Sequence, residues 1–115
     1  MTRLLLVEDD FLIAYDLKLQ LEDAGFTVIG PAGTVDKAMS LMEATPVDAA
    51  ILDVNLQGAS SFAVAEALQA AGTPFVFLSG NDAAQLPEWL AGRIVHAKPV
   101  QFALLLDEIG TLTGG

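Results

Sequence analysis

The sequence has no cysteine, which excludes disulfide bonds and zinc sites built on thiolates. It also lacks any apolar run near the ~20 residues that a membrane-spanning helix needs. Basic residues are few, since 5 Lys and Arg stand against 15 Asp and Glu, for a net charge of −10. Nucleic-acid phosphates are bound by clusters of Lys and Arg, so this balance argues against a nucleic-acid partner. We expect a cytoplasmic protein whose partners are cations or basic molecules.

Hydrophobic residues make up 53% of the 115 residues, enough for the core of one domain. Apolar, strand-like runs occur at residues 4–7, 26–30, 49–53, 75–78 and 94–97. Strands that are apolar throughout are typical of a parallel sheet covered on both faces by helices. The sequence therefore predicts a single α/β domain over the whole chain, with no output domain. We expect a flavodoxin-like (βα)5 three-layer sandwich of five strands and five helices, with strand order 2-1-3-4-5.

Four of the predicted helices have clear signals, and they begin near residues 11, 34, 60 and 101. The remaining one, within residues 82–90, contains Pro87, so we expect a short or irregular element there. Pro31 and the residues beside it are expected to end the second strand.

Acidic residues stand at the ends of two predicted strands. Glu8 and Asp9 follow the first strand, and Asp53 closes the third. Because the carboxyl ends of parallel strands meet at one edge of the sheet, we expect these carboxylates to share a pocket. They would raise one another's pKa unless a cation neutralised them, and oxygen ligands suit Mg²⁺. Asp10 is expected only to cap the first helix.

The polar residues at the strand ends resemble those of response regulator receiver domains from two-component systems. Glu8-Asp9, Asp53, Ser79 and Lys98-Pro99 match in order on strands one, three, four and five. The resemblance extends over essentially the whole chain. Residues 74–77 also resemble single-domain receivers that carry a Pro-Phe-x-Phe-Ala-Thr-Gly-Tyr motif, but the chain continues as Leu-Ser-Gly-Asn, so this match is partial.

The resemblance implies that Asp53 accepts a phosphoryl group from a histidine kinase or a histidine phosphotransfer protein. Ser79 and Lys98 would contact the phosphoryl oxygens. Mg²⁺ would be bound directly by Asp9, Asp53 and the backbone carbonyl of Asn55. Glu8 would contact the ion through water. Such a domain is not an enzyme in the usual sense, because it catalyses only its own phosphorylation and dephosphorylation. It would signal through contacts with a downstream protein, and the peptide bond before Pro99 would be cis.

One departure from the family pattern leaves a second hypothesis open. Many receivers have Tyr or Phe three residues before the lysine, where this chain has Val95. A protein-binding pseudo-receiver that works without phosphorylation is therefore the alternative. A phosphatase of the haloacid dehalogenase kind fits less well, since it usually carries Asp-x-Asp after the first strand.

The start of the first helix is the expected docking surface for the phosphodonor. Phe11, Leu12 and Ile13 follow the acidic residues directly, and one helix cannot turn all three towards the core. We expect Phe11 or Ile13 to face outwards and to act as a hot spot for partner binding.

Overall fold

The central sheet consists of five parallel strands. The computed structural model describes residues 2–56, 58–80, 86–90 and 93–113. The strands are β1 (Arg3–Val7), β2 (Thr27–Ala32), β3 (Ala49–Asp53), β6 (Phe75–Ser79) and β7 (Val95–Ala97), and two short strands, β4 (Asn55–Leu56) and β5 (Ala59–Ser60), form a separate antiparallel hairpin. The order β2-β1-β3-β6-β7 confirms the predicted 2-1-3-4-5 arrangement.

Helices connect the strands and cover both faces of the sheet. They are α1 (Phe11–Asp23), α2 (Val35–Ala44), α3 (Phe62–Ala70) and α4 (Phe102–Leu112). Two helices have side-chain N-caps of the type that their sequences favour. Asp10 Oδ1 accepts hydrogen bonds from the N–H groups of Leu12 and Ile13 at the start of α1. Thr34 Oγ1 accepts one from the N–H group of Lys37 at the start of α2. Among the described residues, no helix has the length and apolar character needed to cross a membrane.

The weak element expected within residues 82–90 lies partly outside the described residues. Its described part contains a short 3₁₀ helix at Glu88–Leu90, which follows Pro87. That short element agrees with the prediction, and residues 82–85 of the segment lie outside the described residues.

The prediction that Pro31 ends the second strand is wrong, because β2 continues to Ala32. Leu5 pairs with Ile29 but Val7 pairs with Ala32, so β2 carries an extra residue opposite β1. A proline is tolerated at such a bulge on an edge strand, where no ladder donor is lost. A Cβ atom at Gly30, whose φ is +112°, would lie 2.8 Å from the Leu6 carbonyl oxygen, so only glycine fits.

Alternation along the strands divides the core into two layers. Leu5 and Val7 face the layer beneath α2 and α3, whereas Leu4 and Leu6 face the layer beneath α1 and α4. β3 is buried along its whole length, as expected for a central strand of a doubly covered sheet. The polar residues at the strand ends are thus held by a rigid apolar scaffold.

Candidate functional site

The carboxyl edge of the sheet brings the predicted site residues together. Glu8 follows β1, Asp53 ends β3, Ser79 ends β6 and Lys98 follows β7. Three of them are almost fully buried, since Glu8, Asp53 and Ser79 expose only 2%, 5% and 4% of their surface. Charged groups that are this deeply buried need partners, because burial penalises the charged form.

Lys98 is the partner of both buried carboxylates, Glu8 and Asp53. Its Nζ atom donates to Asp53 Oδ2 at 2.9 Å and lies 2.7 Å from Glu8 Oε1. The Lys98 N–H also donates to the Ser79 carbonyl at 2.8 Å, which continues the pairing between β6 and β7 beyond the strand ends. The following Lys98–Pro99 bond is cis, as expected. The hydrogen bond between Lys98 and Ser79 fixes the point from which the lysine side chain reaches the carboxylates.

The acidic pocket, which we define as Glu8, Asp9 and Asp53, has the donor set of a hard cation. One carboxylate oxygen from each residue lies within 4.8 Å of the others. Asp9 is half-buried, so the pocket keeps an opening to solvent. Oxygen donors with access to water match the coordination that Mg²⁺ prefers, and the residues present fit this ion.

Two hydrogen bonds that involve backbone groups hold Glu8 in position. The Glu8 N–H donates to the Ala32 carbonyl at 3.0 Å, so the bulged strand β2 supports the acidic pocket from one side. The Asp10 N–H donates to Glu8 Oε2 at 3.0 Å. Asp10 itself caps α1, as its interpretation from the sequence requires.

The pKa of Glu8 is raised to about 7, chiefly by burial and then by the neighbouring Asp53 carboxyl. Lys98 and the Asp10 N–H act in the opposite direction but do not cancel these effects. Burial lowers the pKa of Lys98, yet its interactions with Glu8 and Asp53 outweigh burial, and the pKa lies above the ordinary value. The lysine therefore stays positively charged beside Asp53 at neutral pH.

Asn55 lies two residues beyond Asp53, at the start of the hairpin. Its N–H donates to Asp53 Oδ1 at 3.4 Å, and its side chain is exposed. The β4–β5 hairpin is not among the elements predicted from the sequence. Strands of only two residues leave no alternation from which to recognise them in the sequence.

The first helix carries an exposed apolar surface next to the acidic pocket. We define the α1 apolar surface as Phe11, Leu12, Tyr15 and Leu19, which are 73%, 78%, 51% and 50% exposed. The rings of Phe11 and Tyr15 stack with their centroids 5.9 Å apart. Ile13 is instead partly buried and packs against the core. Of the two residues expected to face outwards, the structure thus favours Phe11.

A cavity of about 420 Å³ lies between α1 and the segment that follows β7. Leu12 and Ile13 line one side, and Lys98, Pro99 and Val100 line the other. The α1 apolar surface is therefore continuous with the rim from which Lys98 projects. Val95 points to the other face of the sheet, where it packs against the core layer under α2 and α3.

Comparisons with known proteins point to one family. The sequence model of the response regulator receiver domain matches residues 4–108. The solution structure of SdrG from Sphingomonas melonis Fr1 is 39% identical, with a TM-score of 0.85 over 97% of this chain and 96% of that chain. SdrG in a BeF3-activated conformation, from Pseudomonas melonis Fr1, is 38% identical, with a TM-score of 0.80 over 96% and 95% of the two chains.

A third similar structure is longer than this chain. PhyR from Brucella abortus is 28% identical, with a TM-score of 0.73, and the match covers 98% of this chain but 51% of that chain. A search of curated proteins found no match.

Proposed function

The chain belongs to the response regulator receiver family of two-component signalling domains, and on this premise we propose that Asp53 is its phosphoacceptor. The observation that carries the proposal is the contact of 2.9 Å between Lys98 Nζ and Asp53 Oδ2. A buried carboxylate beside a fixed ammonium group, at the carboxyl edge of a parallel sheet, is suited to receive an anionic phosphoryl group.

The proposed donor is a phosphohistidine on a histidine kinase or a histidine phosphotransfer protein. A carboxylate oxygen of Asp53 attacks the phosphorus atom, a P–O bond forms, and the P–N bond to the imidazole breaks. The imidazole nitrogen keeps the electron pair of the broken bond, and it takes up a proton from solvent. The product is an aspartyl phosphate, whose phosphoryl oxygens lie next to the Lys98 ammonium group.

Two side chains stabilise the transferring group in this proposal. Lys98 offsets negative charge on one phosphoryl oxygen, and the Ser79 hydroxyl donates a hydrogen bond to another. Ser79 ends β6 and Lys98 follows β7, so the sheet holds both residues at the edge where Asp53 lies.

Mg²⁺ is the proposed cofactor, and its ligands would come from Glu8 through water, Asp9, Asp53 and the Asn55 carbonyl. When bound, the ion neutralises the carboxylates and offsets charge on the phosphoryl oxygens. The proximity of three carboxylates within 4.8 Å supports this assignment.

The proposed docking site for the phosphodonor is the α1 apolar surface. Phe11 and Leu12 expose most of their area at the start of α1, just after the acidic residues that follow β1, and a donor histidine must approach Asp53 from this edge of the sheet. The net charge of −10 favours a protein partner over nucleic acid. The signal would then pass to a downstream protein by direct contact. A cytoplasmic location belongs to the same proposal, because the chain has no cysteine that would need an oxidising compartment.

Val95 supports a second candidate function, a binding module that works without phosphorylation. Many receivers have an aromatic ring at this position of the fifth strand and use it for switching. Here the position holds a valine whose side chain packs against the core. The intact acidic pocket and Lys98 favour phosphorylation over this candidate.

Mass spectrometry after incubation with acetyl phosphate and Mg²⁺ separates the two candidates. We expect wild type to gain one phosphoryl group and Asp53→Asn to gain none, while Asp107→Asn on the exposed face of α4 behaves as wild type. Beryllofluoride, the ligand of the activated SdrG structure, provides an independent arm through its effect on the melting temperature. If acetyl phosphate does not modify the wild-type chain and beryllofluoride does not change its melting temperature, the binding module is favoured.

A further inference from the structure

The β4–β5 hairpin directly follows the proposed phosphoacceptor. We infer that this hairpin is a positioning element: it turns the Asn55 carbonyl towards the acidic pocket and thereby sets the affinity of the pocket for Mg²⁺. The inference rests on the proposed metal site and adds the element that controls it.

The hydrogen-bond pattern of the hairpin determines where the backbone of Asn55 points. Successive pairs in an antiparallel ladder alternate between those that exchange hydrogen bonds and those that do not. The Ser61 N–H donates to the Val54 carbonyl at 3.0 Å, which makes this a bonded position. The next pair, Asn55 with Ser60, is therefore the non-bonded one, and the backbone groups of Asn55 point away from Ser60.

A second contact agrees with this orientation. The Asn55 N–H donates to Asp53 Oδ1 at 3.4 Å, so it lies on the side of the acidic pocket. In an extended residue the N–H and the carbonyl lie on the same edge of the strand. The Asn55 carbonyl thus faces the edge on which the Asp53 carboxylate lies, and it is not used within the hairpin.

Val54 joins this arrangement to the sheet. Its N–H donates to the Leu78 carbonyl of β6 at 2.9 Å, whereas its carbonyl accepts from Ser61 in the hairpin. The change of partner within one residue redirects the chain just after Asp53. The orientation of Asn55 is therefore fixed on one side by the rigid sheet.

Two further residues hold the hairpin on its other side. Leu56 is 4% exposed and belongs to the core layer under α2 and α3, which anchors β4. Gly58 has φ +86°, a conformation that favours glycine, and it closes the turn between the two strands. Both residues therefore fix the shape of the hairpin that carries Asn55.

Gly58→Ala, with Gly72→Ala as its control, provides the sharpest test. Gly72 has φ +72° at the end of α3, and an added Cβ would meet no heavy atom within 4 Å at either glycine. Both substitutions therefore cost backbone strain alone, but only one acts on the hairpin. Isothermal titration calorimetry would give the Mg²⁺ dissociation constant, and the melting temperature in EDTA would give stability without metal.

We expect Gly58→Ala to weaken Mg²⁺ binding roughly tenfold, within the usual effect of groups that orient metal ligands. Gly72→Ala should bind Mg²⁺ as wild type does, although both variants melt at lower temperature in EDTA. Leu56→Ala, compared with Leu68→Ala in the same core layer, repeats the test with a buried anchor, and the glycine pair decides the matter if Leu56→Ala does not fold.

Equal Mg²⁺ affinity in Gly58→Ala and wild type would overturn the inference, and so would an equal loss in both glycine variants. A wild-type protein that binds no Mg²⁺ would instead overturn the proposed metal site, and the role of the hairpin with it. The wild-type titration thus separates failure of the hairpin inference from failure of the proposed function.

Discussion

Lys98 Nζ lies 2.7 Å from Glu8 Oε1, although β3 and β6 separate the two strands that these residues follow. The same nitrogen donates to Asp53 at 2.9 Å, so one ammonium group serves two buried carboxylates. The pKa of Glu8 is raised to about 7, mainly by burial and in part by the neighbouring Asp53. The protonation state of the pocket should therefore change close to neutral pH.

The first prediction concerns the pH dependence of stability without metal. The pKa of Glu8 is about 7 in the folded protein, against an ordinary value of 4.5, so the native state keeps a proton that the unfolded chain releases between these values. The free energy of unfolding in EDTA should consequently fall as the pH rises through this window, by roughly 1–3 kcal/mol. Urea denaturation at several pH values measures it.

Glu8→Gln should remove most of that pH dependence, because the amide does not titrate. Glu66→Gln, at an exposed position on α3, is the control and should keep the wild-type slope. The assignment of the raised pKa to Glu8 would be wrong if Glu8→Gln and wild type lost stability equally across the window.

A second prediction concerns Mg²⁺. Binding to the native state alone should raise the melting temperature, with a stabilisation of about 2.7 kcal/mol at a concentration 100 times the dissociation constant. Asp9→Ala should abolish the response because it removes one of the three carboxylates. Asp107→Ala, on the exposed side of α4, should respond as wild type. Identical melting curves of wild type with Mg²⁺ and with EDTA would count against the metal site.

Lys98→Met gives the third prediction, since it removes the charge but keeps most of the apolar side chain. In EDTA above pH 7 we expect a loss of roughly 1–3 kcal/mol, less than for a fully buried pair because Lys98 is partly exposed. The loss should shrink at lower pH, where Glu8 is protonated, and also with Mg²⁺. Denaturation under the three conditions tests this. A loss that did not depend on pH or Mg²⁺ would point to packing.

The strand order and the residues at the strand ends could be predicted because both depend on local patterns. Apolar runs such as that ending at Asp53 mark buried strands, and parallel topology then brings their ends to one edge. The extension of β2 through Pro31 could not be predicted in this way. It depends on the close approach of Gly30 to the Leu6 carbonyl, which is a tertiary contact.

The hairpin and the docking surface show the same limit. The two-residue strands on either side of Gly58 are stabilised by burial of Leu56. They are too short to show a periodic pattern of apolar residues in the sequence. The sequence showed that Phe11, Leu12 and Ile13 cannot all face the core. Only the packing of α1 shows that Ile13 is the one that turns inwards, while Phe11 stays exposed and stacks on Tyr15.

That difference between Phe11 and Ile13 supports the last prediction, on the phosphodonor. Phe11 is 73% exposed, so Phe11→Ala should leave the melting temperature nearly unchanged. It should weaken docking of the phosphodonor protein by roughly 1–3 kcal/mol. Phosphotransfer from the cognate kinase should fall. Labelling by acetyl phosphate should persist, because this small molecule does not need to contact α1 in order to reach Asp53. Leu104→Ala, which truncates an exposed leucine on α4, should change neither reaction.

Ile13→Ala should behave differently because it also removes packing against the core, and we expect a lower melting temperature. Its effect on phosphotransfer must therefore be judged at a temperature where the variant is fully folded. If Phe11→Ala reduced labelling by both donors equally, the residue would act on the site itself. If it reduced neither, the donor would dock elsewhere, and the exposed stack of Phe11 on Tyr15 would need another partner.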